Sequence, residues 1–110
     1  MVDGLWTVEF IVPQGNRYGR GIVTLKEGRL LGGDFGYYYT GSYSIIGTRI
    51  NARARVIKYD PNSVAVFGNI GAYELEFSGE IDDYQLEGVG NIVGVPNTQI
   101  RIVGRKKEDW

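Results

Sequence analysis

Four glycines and four tyrosines crowd into twelve residues, Gly32-Gly33-Asp34-Phe35-Gly36-Tyr37-Tyr38-Tyr39-Thr40-Gly41-Ser42-Tyr43. A helix does not carry that glycine density, since each interior Gly costs about 1 kcal/mol against Ala. Tyr and Thr suit a pleated, half-buried surface instead. The stretch reads as a strand ending near Gly32, a tight corner over Gly33-Asp34-Phe35-Gly36, and a new strand from Tyr37 to about Ile46. Side chains alternate along a strand, so Tyr37, Tyr39, Gly41, Tyr43 and Ile45 share one face. Large rings beside glycines on that face predict a strongly curved sheet closing on a small interior. Gly32, Gly33, Asp34, Gly36 and Gly41 form its corner motif.

The same alternation extends in both directions. Gly4 to Val12 turns Trp6, Val8, Phe10 and Val12 inward. Pro13-Gln14-Gly15-Asn16 is a turn cluster. A strand from Tyr18 to Lys26 follows, then a Glu27-Gly28 hairpin into Arg29 to Gly32. Gly47-Thr48 leads into Arg49 to Tyr59, where Ile50, Ala52, Ala54 and Val56 alternate with Arg49, Asn51, Arg53 and Arg55. Asp60-Pro61-Asn62-Ser63 breaks that strand, and Val64 to Gly71 reads as a short extra strand or a flap. Ala72 to Ile81 sets Tyr73, Leu75, Phe77 and Gly79 against Glu74, Glu76, Ser78 and Glu80. Tyr84 to Ile92 and Thr98 to Gly104 are the last two strands.

These elements predict an all-β fold, an eight-stranded antiparallel up-and-down barrel, with a strongly coiled sandwich as the other solution. Residues 1–104 form a single barrel domain and 105–110 a charged C-terminal tail expected to fray. The inward glycines, Gly21, Gly32, Gly41, Gly79, Gly88 and Gly90, either let strands bend at corners or leave room for a ligand.

Composition narrows the chemistry. The chain has no cysteine, which excludes disulfides and thiolate metal sites, and no histidine, the usual general base and commonest metal ligand. Twelve basic and thirteen acidic residues leave a net charge of −1, with no global field favouring nucleic acid or membrane. No apolar run approaches the roughly 20 residues that span a bilayer as a helix, and a soluble cytoplasmic protein is expected.

Catalytic candidates are few. Asp34 sits in the glycine corner, where its carboxylate is expected to accept backbone N–H groups and fix the turn. A paired-carboxylate site needs a second inward acid, but Glu9, Glu74, Glu76, Glu80 and Glu87 all fall on outward parity. Gly32 to Gly36 is no phosphate loop, because no Lys-Ser/Thr follows. No enzyme, metal or cofactor is expected. Arg49, Arg53, Arg55 and Arg101 make an outer basic stripe, read as ion-pairing with the glutamates of the next strand rather than as a nucleic-acid face. Leu5, Ile11, Ile22, Ile57 and Val103 also point outward, and with Val64, Val66 and Phe67 they are candidates for an apolar interface, most simply of a homodimer.

Asp3-Gly4-Leu5-Trp6, Gly32-Gly33-Asp34 and Tyr39-Thr40-Gly41-Ser42-Tyr43 resemble, in order and spacing, the GrlR family of bacterial negative regulators of type III secretion. The resemblance implies a small lipocalin-like barrel that dimerises and sequesters a transcriptional activator. The family's acidic Glu-Asp-Glu-Asp run is absent: its position reads Ile45-Ile46-Gly47-Thr48, so no partner-binding residue carries over. Gly4-Leu5-Trp6 is also similar to the Gly-x-Trp that opens lipocalins. That likeness implies that Trp6 plugs one barrel end and meets Arg101 or Arg105 from the last strand.

The leading expectation is a non-catalytic regulatory barrel that meets a protein partner through its surface. The alternative is a binder of a small apolar ligand in the barrel interior. Candidate interior or ligand contacts are Trp6, Phe10, Tyr37, Tyr39, Tyr43, Tyr73 and Phe77. A ligand needs an empty, mostly apolar interior of roughly 300 Å3 or more, and seven inward rings are expected to fill that space. Gly88→Leu or Gly90→Leu is expected to separate the two, since a packed core suffers from the added volume and a hollow one does not.

Overall fold

The computed structural model describes residues 1–12, 17–64 and 71–110, with Arg17 described by its backbone alone. It is all β. Strands β1 (Gly4–Val12), β2 (Arg17–Lys26), β3 (Arg29–Gly33), β4 (Tyr37–Ile46), β5 (Arg49–Lys58), β6 (Ala72–Ile81), β7 (Gln85–Ile92) and β8 (Ile100–Asp109) pair in chain order. β8 returns to β1, closing an antiparallel up-and-down barrel. The expected flap or extra strand over 64–71 lies, from Ala65 to Ile70, outside the described residues, as does the turn at 13–16.

The alternation read from sequence becomes the barrel's two faces. Trp6, Val8, Val23, Leu25, Tyr37, Tyr39, Ile50 and Val56 are buried inside. Outside, Arg49 reaches Glu80 at 3.0 Å, and Arg53 reaches Glu76 at 3.0 Å and Glu74 at 3.5 Å. These exposed pairs fix the register of β5 on β6 and contribute well under about 1 kcal/mol each.

Two of the inward glycines show why the sheet curls. A Cβ on Gly41 would stand 2.0 Å from the Arg53 carbonyl oxygen and 2.7 Å from Ala54 Cα. A Cβ on Gly88 would stand 2.3 Å from the Ser78 carbonyl oxygen and 2.6 Å from Cα of Gly79, its cross-strand partner. Backbone lies against backbone at both places, which supports bending over room for a ligand. It also removes Gly88→Leu as a test of the interior, because any side chain there strikes the neighbouring strand first.

The C-terminal segment is not a frayed tail. β8 runs to Asp109, with Gly4 opposite Asp109 and Leu5 opposite Glu108. The register then shifts so that Trp6 faces Lys106, leaving Lys107 as the extra residue of a bulge. Main-chain pairing with the start of β1 holds this charged stretch, with the Lys106 side chain buried and those of Lys107, Glu108 and Asp109 in water. The Lys106 ammonium donates to the Met1 carbonyl and, at 2.8 Å, to Asp109. Lys26 stands 3.8 Å over the Trp110 ring. Lys106 thus takes the place expected of Arg101 or Arg105 beside Trp6. Arg101 pairs with Glu87, and Arg105 donates to Gln85 at 2.8 Å. β8 begins at Ile100 rather than Thr98 because the Thr98 hydroxyl closes the preceding loop, accepting from Ile92 N–H and donating to the Val95 carbonyl.

Candidate functional site

Antiparallel pairing in chain order sends alternate connections to opposite ends of the barrel. One end carries the tight turns at 27–28, 47–48 and 82–84. The other carries the longer connections at 13–16, 34–36, 59–71 and 93–99. Trp6 belongs to the tight end. It is completely buried, and its indole N–H donates to the Val2 carbonyl at 2.9 Å. The Tyr43 hydroxyl reaches Asp3 at 3.4 Å at the same end.

Between the ends lies an apolar chamber of about 290 Å3. It extends from Leu25, Ile50 and Leu86 on the tight-turn side to Asp34, Phe35, Ser63 and Val64 at the other end. Phe35 is 94% exposed there, so the chamber reaches the surface at this corner. Of the seven rings assigned to the interior, Phe10, Tyr37, Tyr39, Tyr73 and Phe77 line the chamber, and Trp6 and Tyr43 do not. The rings pack on one another, with Phe10 edge-on to Tyr39 at 5.9 Å and Tyr37 tilted on Tyr73 at 6.5 Å. They therefore leave the middle open. Between the ring-bearing strands β4 and β6, β5 contributes only small residues to the lining, Ala52 opposite Phe77 and Ala54 opposite Gly41. Those alanines are the sequence signal for the space.

The polar corner is Asp34. One carboxylate oxygen, Oδ1, accepts the backbone N–H groups of Gly36 at 3.0 Å and Tyr37 at 2.9 Å, which is how the turn is fixed. The other, Oδ2, accepts the Tyr39 hydroxyl. The Tyr59 hydroxyl donates to the Asp34 carbonyl at 2.6 Å, tying the corner to the end of β5. Burial, and then the bond to Asp34, push the Tyr39 phenol far above its usual range. Burial chiefly does the same to Tyr73, helped by neighbouring Tyr37 and Asp34.

Both phenols ionise less readily folded than unfolded. Their contribution to stability is complete below the unfolded value of about 10 and is lost as pH rises above it. In an alkaline titration, tyrosinate absorbance from two of the eight tyrosines should appear only together with loss of the circular dichroism signal. All eight ionising with the barrel intact would contradict this burial.

The outward apolar residues divide. Thr7, Ile22, Gly33, Tyr38 and Ile57 lie opposite one another in one row across β1–β5. Leu5, Thr24, Leu31 and Thr40 form the row beside it. From β1 to β4 both rows are uncharged, and Leu31 and Tyr38 make them continuous; on β5 the second row ends in Arg55, opposite Thr40. Val103 instead sits between Glu9 and Glu87, Ile11 lies opposite Arg101, and Val64 is at the chamber mouth. Val66 and Phe67 lie outside the described residues. Among the described residues, no group of three acidic side chains is placed to hold a metal ion.

Fold and site together define a closed antiparallel barrel with an apolar chamber, a blocked tight-turn end and one carboxylate corner at the other. No family model matches the chain, and no curated protein does either.

Proposed function

We propose that this protein binds a small, mostly apolar molecule inside its barrel. The chamber of about 290 Å3 carries the reading. It lies at the lower edge of the roughly 300–1,000 Å3 found for small-molecule sites and shares their make-up, apolar walls with a few placed polar groups. Empty space in a core gives up stability at about 24 cal/mol per Å3. A barrel serving only as a scaffold gains by filling it, yet Ala52 and Ala54 in its lining are small. A barrel that works only through its surface needs no open interior, and the five lining rings leave one.

A second reading follows the GrlR resemblance: the two-row wall from Leu5 and Ile22 to Tyr38 and Ile57 pairs with a second copy or a protein partner. Native mass spectrometry of mildly purified protein, against the denatured mass, distinguishes the two. Extra mass lost on denaturation is the expected result, and Ala54→Leu is expected to fold normally and abolish it. A dimer with no extra mass, whose affinity for apolar dyes is unchanged by Ala54→Leu, supports the wall and sinks the chamber.

A further inference from the structure

We propose that the ligand of this chamber carries a neutral hydroxyl group, seated as a hydrogen-bond donor on the Asp34–Tyr39 pair. The inference rests on the chamber reading above and specifies the ligand's polar end.

Proton counting supplies the reason. An ionised carboxylate has about four acceptor positions and no donor. Asp34 uses two of them on Gly36 and Tyr37 N–H and one on the Tyr39 hydroxyl, leaving an open position on Oδ2. Tyr39 has a single hydroxyl proton, and it is committed to Asp34. Its Oη therefore offers the chamber only lone pairs. Ser63, at the same end, commits its proton to Asp60 at 3.3 Å. Asp34, Tyr39 and Ser63 thus present acceptors to the interior, and an acceptor cluster is satisfied by a donor.

The backbone supports the pair from behind. A Cβ on Gly21 would stand 2.8 Å from Tyr39 Oη, so the glycine in β2 leaves the hydroxyl its place. Asp34 belongs to no ion pair among the described residues. Its charge is balanced by three hydrogen bonds, and Arg20, whose guanidinium donates to the Tyr18 hydroxyl, lines the same mouth. A carboxylate and a guanidinium near one mouth cancel as a field, and apolar walls penalise any ionic ligand. What remains favourable is an uncharged donor on an apolar body, an alcohol or phenol.

The test uses two probes of one shape, naphthol and the matching methoxynaphthalene, titrated calorimetrically into the whole chain. Naphthol is expected to bind roughly tenfold tighter or more, because its methyl ether leaves the acceptors unpaired. Asp34→Asn inverts the pattern. The amide oxygen can keep the Gly36 and Tyr37 N–H groups while the amide N–H occupies Tyr39 Oη, freeing the Tyr39 proton for the chamber. In that variant the preference is expected to vanish or reverse. Equal binding of both probes to the wild type overturns the inference and leaves the chamber reading standing. A naphthol preference that survives unchanged in folded Asp34→Asn also overturns it. If neither probe binds and native mass spectrometry finds no extra mass, the chamber reading falls and this inference with it. The wild-type comparison decides alone if the variant does not fold.

Discussion

Trp6→Ala is expected to lower the unfolding free energy by about 3–5 kcal/mol, the cost of truncating a fully buried large aromatic. Among the described residues Trp6 is the largest completely buried side chain, and its indole N–H donates to the Val2 carbonyl. The substitution opens a void where β1 meets the bulged end of β8, a region held otherwise by main-chain pairing and the Lys106–Asp109 ion pair. It also leaves the Val2 carbonyl without its donor. A domain of this size has a total stability of about 5–15 kcal/mol, so the loss is a large share of the whole. Urea unfolding followed by circular dichroism measures it. A loss below about 1 kcal/mol would show that Trp6 is not the plug of the tight-turn end.

That end was readable from sequence in part. Trp6, Val8 and Phe10 alternate cleanly with Thr7 and Glu9, and alternation fixes face and strand together. The same regularity gave β4 and β6 their observed bounds, because Tyr37 to Ile46 and Ala72 to Ile81 are bracketed by glycine or turn residues. β8 escaped past Gly104. Arg105 to Asp109 has no apolar alternation, since its residues other than Lys106 meet water at the barrel rim, and the bulge at Lys107 interrupts parity where a pattern would be sought. What holds that segment is the opposing edge of β1, a partner more than ninety residues away in the chain.

The candidate site divides the same way. The Asp34 corner was legible because a turn-fixing carboxylate between glycines is a local arrangement, and its bonds to Gly36 and Tyr37 N–H are local ones. The bond from Tyr39 joins it because β4 brings a ring two residues further on back over the corner. The chamber was not legible. Parity says which side chains point inward but not how far they reach, and rings that pack against one another, as Phe10 does edge-on to Tyr39, leave space that a count of rings assigns as filled. The uncharged wall was half visible: Ile22 and Ile57 were counted, but only the registers of β2–β3 and β4–β5 bring Leu31 and Tyr38 between them.

Gly88→Ala is expected to destabilise the barrel by about 1–3 kcal/mol, an overpacking cost of unusual size for one methyl group. The added Cβ meets the Ser78 carbonyl oxygen at 2.3 Å, Gly79 Cα at 2.6 Å and Phe77 Cε1 at 2.8 Å. The ring edge can swing aside, but the first two contacts are backbone, so β6 and β7 must move apart. Gly90→Ala, two residues along the same strand, is the matched control. Its Cβ would stand 3.2 Å from the Glu76 carbonyl oxygen and 3.2 Å from Ile102 Cδ1, contacts that a few tenths of an ångström relieve. The control is expected to cost less than half as much, and both are read by denaturant midpoint at constant slope. Equal costs would mean that Gly79 and Gly88 are not where the sheet is pinched. Unequal costs would locate the curvature in the crossing of two bare backbones. Side-chain volume inside the barrel would then be free to vary, which is the condition for a chamber in a barrel this small.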